Sequence, residues 1–190
     1  MNNLPENLPS KAVLERLGYR IERVATMKPM GYRFTELVHT KSGGRIILTD
    51  RKDNYKTFSI IFRTTPTDDT GVFHILEHSV LAGSEKFPLK DPFTEVLKGS
   101  LNVYMNAFTS SSSTYFPFTT PSDKDFFGLA EVDLDAVFRP LAMKNECIFL
   151  QEGHRVEFDE NGVPFRTGFV YNEMEGVYSS IDDFADYEIC

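Results

Sequence analysis

Two of the chain's four histidines stand four residues apart in His74-Ile75-Leu76-Glu77-His78. At 100° per residue on a helix, His74, Glu77, His78 and Leu81 share one arc of about 100°, with Phe73, Leu76 and Val80 on the far side to pack against a sheet. A zinc ion takes imidazole nitrogens at ~2.0–2.1 Å, and histidines one turn apart can both reach one ion. Glu77, on the same face, can take a proton from a metal-bound water. The order H-x-x-E-H inverts H-E-x-x-H and is a zinc-hydrolase pattern. The plainer alternative is two histidines and a glutamate on a solvated helix face, with His78 paired to Glu77 or to backbone.

A catalytic zinc wants a third protein ligand and an open position for water. His39 and His154 lie in strand-like segments with nothing ligand-like beside them, which reads as ordinary surface or half-buried histidine. Glu173 is the better candidate, because the apolar run Gly168-Phe169-Val170-Tyr171 feeds a helix start that can present a carboxylate from a second element. Glu175, two positions on, points away by about 200°.

The elements that must position these groups follow from periodicity. Residues 10–18 suit a short helix capped by Ser10, with Leu14 and Leu17 inward. Tyr32–His39 and Arg45–Thr49 read as a hairpin around Lys41-Ser42-Gly43-Gly44, and residues 55–63 as a third, more buried strand. After the Pro66-Thr67-Asp68-Asp69 loop the period changes to 3.6, which predicts a helix capped by Asp69 or Thr70 and stopped at Gly83. Asp91-Pro92 opens a second helix ending near Gly99. Residues 101–108 and 114–120 suit two strands. Ser122, with Asp125 three residues on, opens an amphipathic helix whose inward face is read as Phe126, Phe127, Ala130, Leu134, Val137 and Phe138. A short helix over 145–152, a hairpin around Asn161-Gly162 and a last helix from Tyr171 or Asn172 complete the order. Strands and helices come in runs, so the expected fold class is α+β with a mixed or antiparallel sheet packed by helices.

The 190 residues include 28 acidic and 20 basic side chains, a formal net charge of −8. That balance disfavours nucleic acid and anionic membranes as partners, since both need a basic footprint. Two cysteines, Cys147 and Cys190, cannot build a disulfide framework. No stretch approaches 18 apolar residues, and the start lacks the pattern of a signal or transit peptide. The expected compartment is the cytoplasm. The last helix is unfinished where the chain stops, so residues 1–190 are expected to be a single N-terminal domain, incomplete at its C-terminus. Asp182, Asp183, Asp186 and Glu188 near the end would attract basic peptides or simply form a solvated helix face.

The segment from Thr70 to Ser84 resembles the zinc-helix signature of the pitrilysin/insulinase metallopeptidases, the inverzincins, and within them the presequence protease and falcilysin branch. The resemblance continues through Pro88, Asp91-Pro92-Phe93, Leu97 to Leu101, Asn106-Ala107-Phe108-Thr109, Asp123 to Asp135, Gln151-Glu152-Gly153 and Tyr171 to Ser179. It implies a fold of the pitrilysin and mitochondrial processing peptidase type, with Zn2+ held by His74, His78 and Glu173 and Glu77 as general base. The 94 residues between His78 and Glu173 suit this branch better than the shorter-spaced processing peptidases. Those carry another glutamate seven positions before the third ligand, where this chain has Arg166.

The same resemblance implies an endopeptidase acting on short unfolded peptides, with Asn102–Thr109 as the edge that receives substrate and Asn106 and Ala107 as substrate-binding residues. Relatives have two homologous halves and are several times longer. The implied partners are therefore peptide substrates and either a missing C-terminal half or a second copy of the chain. Two other readings stand beside this one. A small zinc lyase of the S-ribosylhomocysteine type also uses H-x-x-E-H, with a cysteine as third ligand for which Cys147 would have to serve. A non-catalytic, self-associating module would keep the fold without the chemistry.

Overall fold

The computed structural model describes residues 8–179, which belong to two units, Met1–Asn54 and Tyr55–Cys190. The acidic tail residues Asp182, Asp183, Asp186 and Glu188, and Cys190, lie outside the described residues.

In the first unit Ser10 caps α1 (Lys11–Arg16), its Oγ accepting from the Val13 amide at 3.4 Å. Leu14 is buried as expected, but Leu17 is exposed. Leu17 follows the last helical turn, where the chain swings away through Gly18 at φ 81°. The strand β1 (Tyr19–Met27) was not legible from periodicity. Arg20, Glu22 and Arg23 interrupt its apolar residues, and a register shift between Ile21 and Arg23 breaks the alternation. It pairs antiparallel with β2 (Tyr32–His39), which pairs with β3 (Arg45–Asp50), so the expected hairpin is the second half of a three-stranded sheet.

The second unit is built on β4 (Lys56–Arg63), which pairs with a strand more than fifty residues later rather than with the hairpin before it. The strand is less buried than expected: Phe58, Ile60 and Phe62 are half-buried while Ile61 is 65% exposed on the other face, and Phe58 stacks on Phe118 at 5.4 Å between ring centroids. Two helices follow, α2 (Val72–Leu81) and α3 (Pro92–Gly99). The start of α2 differs from expectation: its cap is Gly71 at φ 69°, with no side-chain cap. The Asp68 carboxylate instead folds the preceding loop by accepting from the Thr70 amide at 3.0 Å. Asp91 caps α3 as expected, accepting from the Thr94 amide at 2.9 Å.

The stretch expected as one strand over 101–108 is two short pieces, β5 (Tyr104–Met105) and β6 (Phe108–Thr109). Both pair antiparallel with β7 (Ser113–Thr120), whose other side pairs with β4. Next comes α4 (Asp123–Phe138), capped by Ser122, which accepts from the Asp125 amide at 3.2 Å. Its most buried face is aliphatic, while Phe126, Ala130 and Val137 of the expected face are half-buried and Phe126 packs on the Phe118 ring at 5.6 Å. Leu129 is 1% exposed, and Val132 and Ala136 join Phe93 in the core, whereas Phe127 is 72% exposed and Leu134 and Phe138 also face outward. The helix carries two apolar stripes, and the narrower aliphatic one fits the space between α3 and the sheet. A short α5 (Glu146–Glu152), the hairpin β8 (Arg155–Phe158) and β9 (Pro164–Thr167), and α6 (Phe169–Val177) complete the described chain. The helix α6 starts earlier than expected, directly after Gly168. Every strand pair is antiparallel, so the α+β class holds in its antiparallel form. Among the described residues no helix is long and apolar enough to cross a membrane.

Candidate metal centre

The α2 helix carries three of the candidate groups. Val80 is buried beneath it, although Leu76, expected to pack inward, is exposed. The rings of His74 and His78 stand 5.0 Å apart at 73°, one turn from each other on the same face. Glu77 lies inward of them at 7% exposure.

The third group comes from α6. Glu173 Oε2 is 3.7 Å from His74 Nε2 and 3.5 Å from His78 Nε2. The three ligand atoms lie within 4.8 Å of one another, and these are the residues singled out from the sequence. Bonds of 2.0–2.1 Å around a tetrahedral ion put ligand atoms roughly 3.3 Å apart. Two nitrogens and one carboxylate oxygen at the observed spacing fit such an ion with small side-chain adjustments. Glu175 is not part of the group.

What delivers Glu173 is a close passage of backbone. Gly153, after α5, is so near Gly168, before α6, that a Cβ on Gly168 would stand 2.1 Å from the Gly153 carbonyl oxygen. A Cβ on Gly153 would in turn stand 3.0 Å from Cγ2 of Ile75, in the middle of the histidine helix. The start of α6 and the end of α5 are thus pressed together against α2.

A cavity of about 770 Å³ opens beside His78, with Glu77, Asn106, Ala107, Gln151 and Glu152 also among its lining residues. Asn106 and Ala107 fall in the break between β5 and β6. The Asn106 Oδ1 accepts from the Ala107 amide at 2.9 Å, and the Asn106 amide donates to the Pro117 carbonyl at 3.1 Å. The second of these bonds ties Asn106 to β7, and the first turns the chain locally between β5 and β6.

Three other candidates lie elsewhere. His39 belongs to the first unit, where its Nδ1 accepts from the Ser42 amide at 3.3 Å and its ring packs on Tyr19. His154 packs on the Phe149 ring at 5.8 Å. Cys147 is a free, exposed thiol on the first turn of α5 and does not join the metal-ligand group, so the structure lends nothing to the lyase alternative. Sequence reasoning gave no role to Glu152, whose Oε2 lies 3.6 Å from His78 Nδ1. Its signal was only its place in Gln151-Glu152-Gly153, at the end of a short helix whose position against α2 no local pattern reveals.

No protein-family model matches the chain. It is 45% identical over 147 residues to presequence protease 1, chloroplastic/mitochondrial, of Arabidopsis thaliana, covering 76% of this chain and 14% of that protein. Protein HypA of Clostridium perfringens is 43% identical over 167 residues, covering 87% of this chain and 17% of that protein. The mitochondrial presequence protease of Saccharomyces cerevisiae is 41% identical over 168 residues, covering 86% and 17%. The chain therefore spans less than a fifth of the length of these curated relatives. Among solved structures, crystalline pitrilysin matches with a TM-score of 0.56 over 65% of this chain and 14% of its own, at 23% identity, a likeness of fold. By its sequence kinship with the presequence proteases and its fold kinship with pitrilysin, this chain belongs to the pitrilysin/insulinase family of peptidases.

Proposed function

We propose that this polypeptide carries the zinc-binding part of an endopeptidase that cleaves short unfolded peptides, with His74, His78 and Glu173 as the metal ligands and Glu77 as general base. The observation that carries this reading is the convergence of two imidazole nitrogens and one carboxylate oxygen from α2 and α6, within 4.8 Å of one another, next to a cavity bordered by a buried glutamate. Zinc, when bound, supplies Lewis-acid polarisation of the scissile carbonyl and acidifies the attacking water. Glu77 takes that water's proton and returns it to the leaving amine. Its low exposure keeps the carboxylate from wandering, so proton transfer does not wait on a side-chain search. The peptide lies along the β5–β6 side of the cavity, where Asn106 and Ala107 receive it as an added strand would be received, backbone to backbone.

The presequence proteases are peptidases several times longer than this chain, so the proposal extends to what completes the site. Residues 1–190 form an N-terminal part of a catalytic domain, and its partner is either a C-terminal half or a second copy of the chain. The proposed compartment is the cytoplasm, for which the free thiol of Cys147 is the supporting observation. Several relatives bear organellar names, so cell fractionation decides the point.

Zinc analysis after dialysis, paired with cleavage of a quenched peptide, tests the reading. Wild-type protein is expected to retain about one zinc per chain, and Glu77→Gln to retain the zinc while losing hydrolysis. Turnover persisting in Glu77→Gln removes Glu77 from the base role, and absence of zinc from the wild type removes the site. A second reading, a self-associating module without catalysis, is favoured by one observation, the outward aromatic stripe of Phe127 and Phe138 on α4. Self-association fits either reading, so peptide cleavage and zinc content measured on the associated species separate the two.

A further inference from the structure

The His78 ring is gripped from both edges. Its Nε2 faces Glu173 at 3.5 Å, while its Nδ1 faces Oε2 of Glu152 at 3.6 Å. Glu152 is only 8% exposed, an expensive place for a carboxylate without partners. Its other oxygen, Oε1, accepts from the Gln151 side-chain amide at 2.7 Å, which leaves Oε2 turned to the imidazole. Among the described residues its recorded ion-pair partner is His78 and no lysine or arginine. The position is fixed by backbone. Glu152 is the last residue of α5, and Gly153 immediately after it is wedged against Ile75 of α2 and against Gly168. The end of α5 therefore lies close against the histidine helix, with no room for a side chain at Gly153.

We propose that Glu152 is a positioning residue for His78: its carboxylate accepts a hydrogen bond from Nδ1–H, which fixes the ring's tautomer and orientation so that the Nε2 lone pair is presented to the metal. The inference rests on the zinc reading above and deepens it. Imidazole ligands that donate their second N–H to a carboxylate are held in one tautomer and one orientation, and loss of that partner typically weakens metal binding 10–100-fold. The 3.6 Å separation is slightly longer than a hydrogen bond. The proposed contact therefore needs the two side chains to approach by a few tenths of an ångström, about 0.4 Å or more.

The test compares wild type, Glu152→Ala and Glu152→Gln in the full chain, using zinc affinity by chelator competition and the tautomer of His78 by long-range nitrogen–proton NMR on metal-free protein at a pH where the ring is neutral. The wild type is expected to show the Nδ1–H form of His78. Glu152→Ala should lose that preference and bind zinc about 10–100-fold more weakly. Glu152→Gln, whose carbonyl still accepts from Nδ1, should keep the tautomer and recover most of the affinity. Circular dichroism of the metal-free proteins checks that the variants fold. Wild-type zinc binding unchanged in Glu152→Ala overturns the proposal, and so does an Nε2–H tautomer in the wild type, a result that needs no variant to fold. A wild type that binds no zinc at all overturns the metal site itself and this inference with it, a pattern distinct from the other two.

Discussion

Gly153 and Gly168 approach so closely that the Gly153 carbonyl oxygen occupies the space where a Gly168 side chain would begin, 2.1 Å from an ideal Cβ. The Tyr171 amide donates to that same carbonyl at 3.4 Å, tying α6 to the end of α5. At φ 167° the Gly168 backbone is extended and open to any residue, so the demand for glycine is purely one of room.

Gly168→Ala should therefore push α6 off α5 and cost about 1–3 kcal/mol, the usual range for forced overpacking. The same substitution should weaken zinc binding, because Glu173 rides on α6. Urea unfolding with parallel metal analysis checks both. Gly176→Ala, where an added Cβ meets nothing within 4 Å, is the control: it should leave zinc binding unchanged and, lying within α6, raise stability by up to about 1 kcal/mol.

Removing a ligand should remove the metal. His78→Ala or Glu173→Ala is expected to lower zinc retained after dialysis well below that of the wild type. The zinc-dependent rise in melting temperature should vanish with it, since an ion bound only to the folded state stabilises by mass action.

Asp133 gives the protein an unusual pH dependence. It is 1% exposed on α4, and among the described residues neither carboxylate oxygen has a hydrogen-bond partner. Burial pushes its pKa up to about 7. Between about pH 4 and 7 the folded state then holds a proton that the unfolded chain has lost, so stability falls as pH rises through that window. The full loss is on the order of 4 kcal/mol by pH 8. Asp133→Asn should flatten this slope, as read from urea midpoints at pH 5 and pH 8. Asp135 behaves in the opposite sense. Its burial raises the pKa, but the Lys86 amide, the Ser84 hydroxyl and the Arg139 and Lys86 charges together hold it below the usual value. Its contribution is present above about pH 4 and is lost on further acidification.

The two apolar stripes of α4 can be told apart by substitution. Leu129→Ala should cost about 2–5 kcal/mol, as for a fully buried leucine. Phe127→Ser should stay within about 0.5 kcal/mol, as for an exposed position. If that ranking inverts, the aromatic stripe is the packed one.

The sequence by itself determined much of what is local in this protein, although not the Gly71 cap of α2 or the early start of α6. The spacing of His74, Glu77 and His78 sets one helix face by geometry alone, and the caps at Ser10, Asp91 and Ser122 form with their neighbours three residues on, needing no other part of the chain. Tertiary structure decided what depends on partners far along the chain. It chose which stripe of α4 is buried, because the packing space between α3 and the sheet, not hydrophobicity, set the choice. It broke the expected 101–108 strand at Asn106–Ala107, and it paired β4 with β7 across more than fifty residues. It also brought Glu152 to the back of His78, a contact fixed by two glycines whose closeness no periodicity encodes, because backbone packing distance is a property of the assembled elements and not of either one.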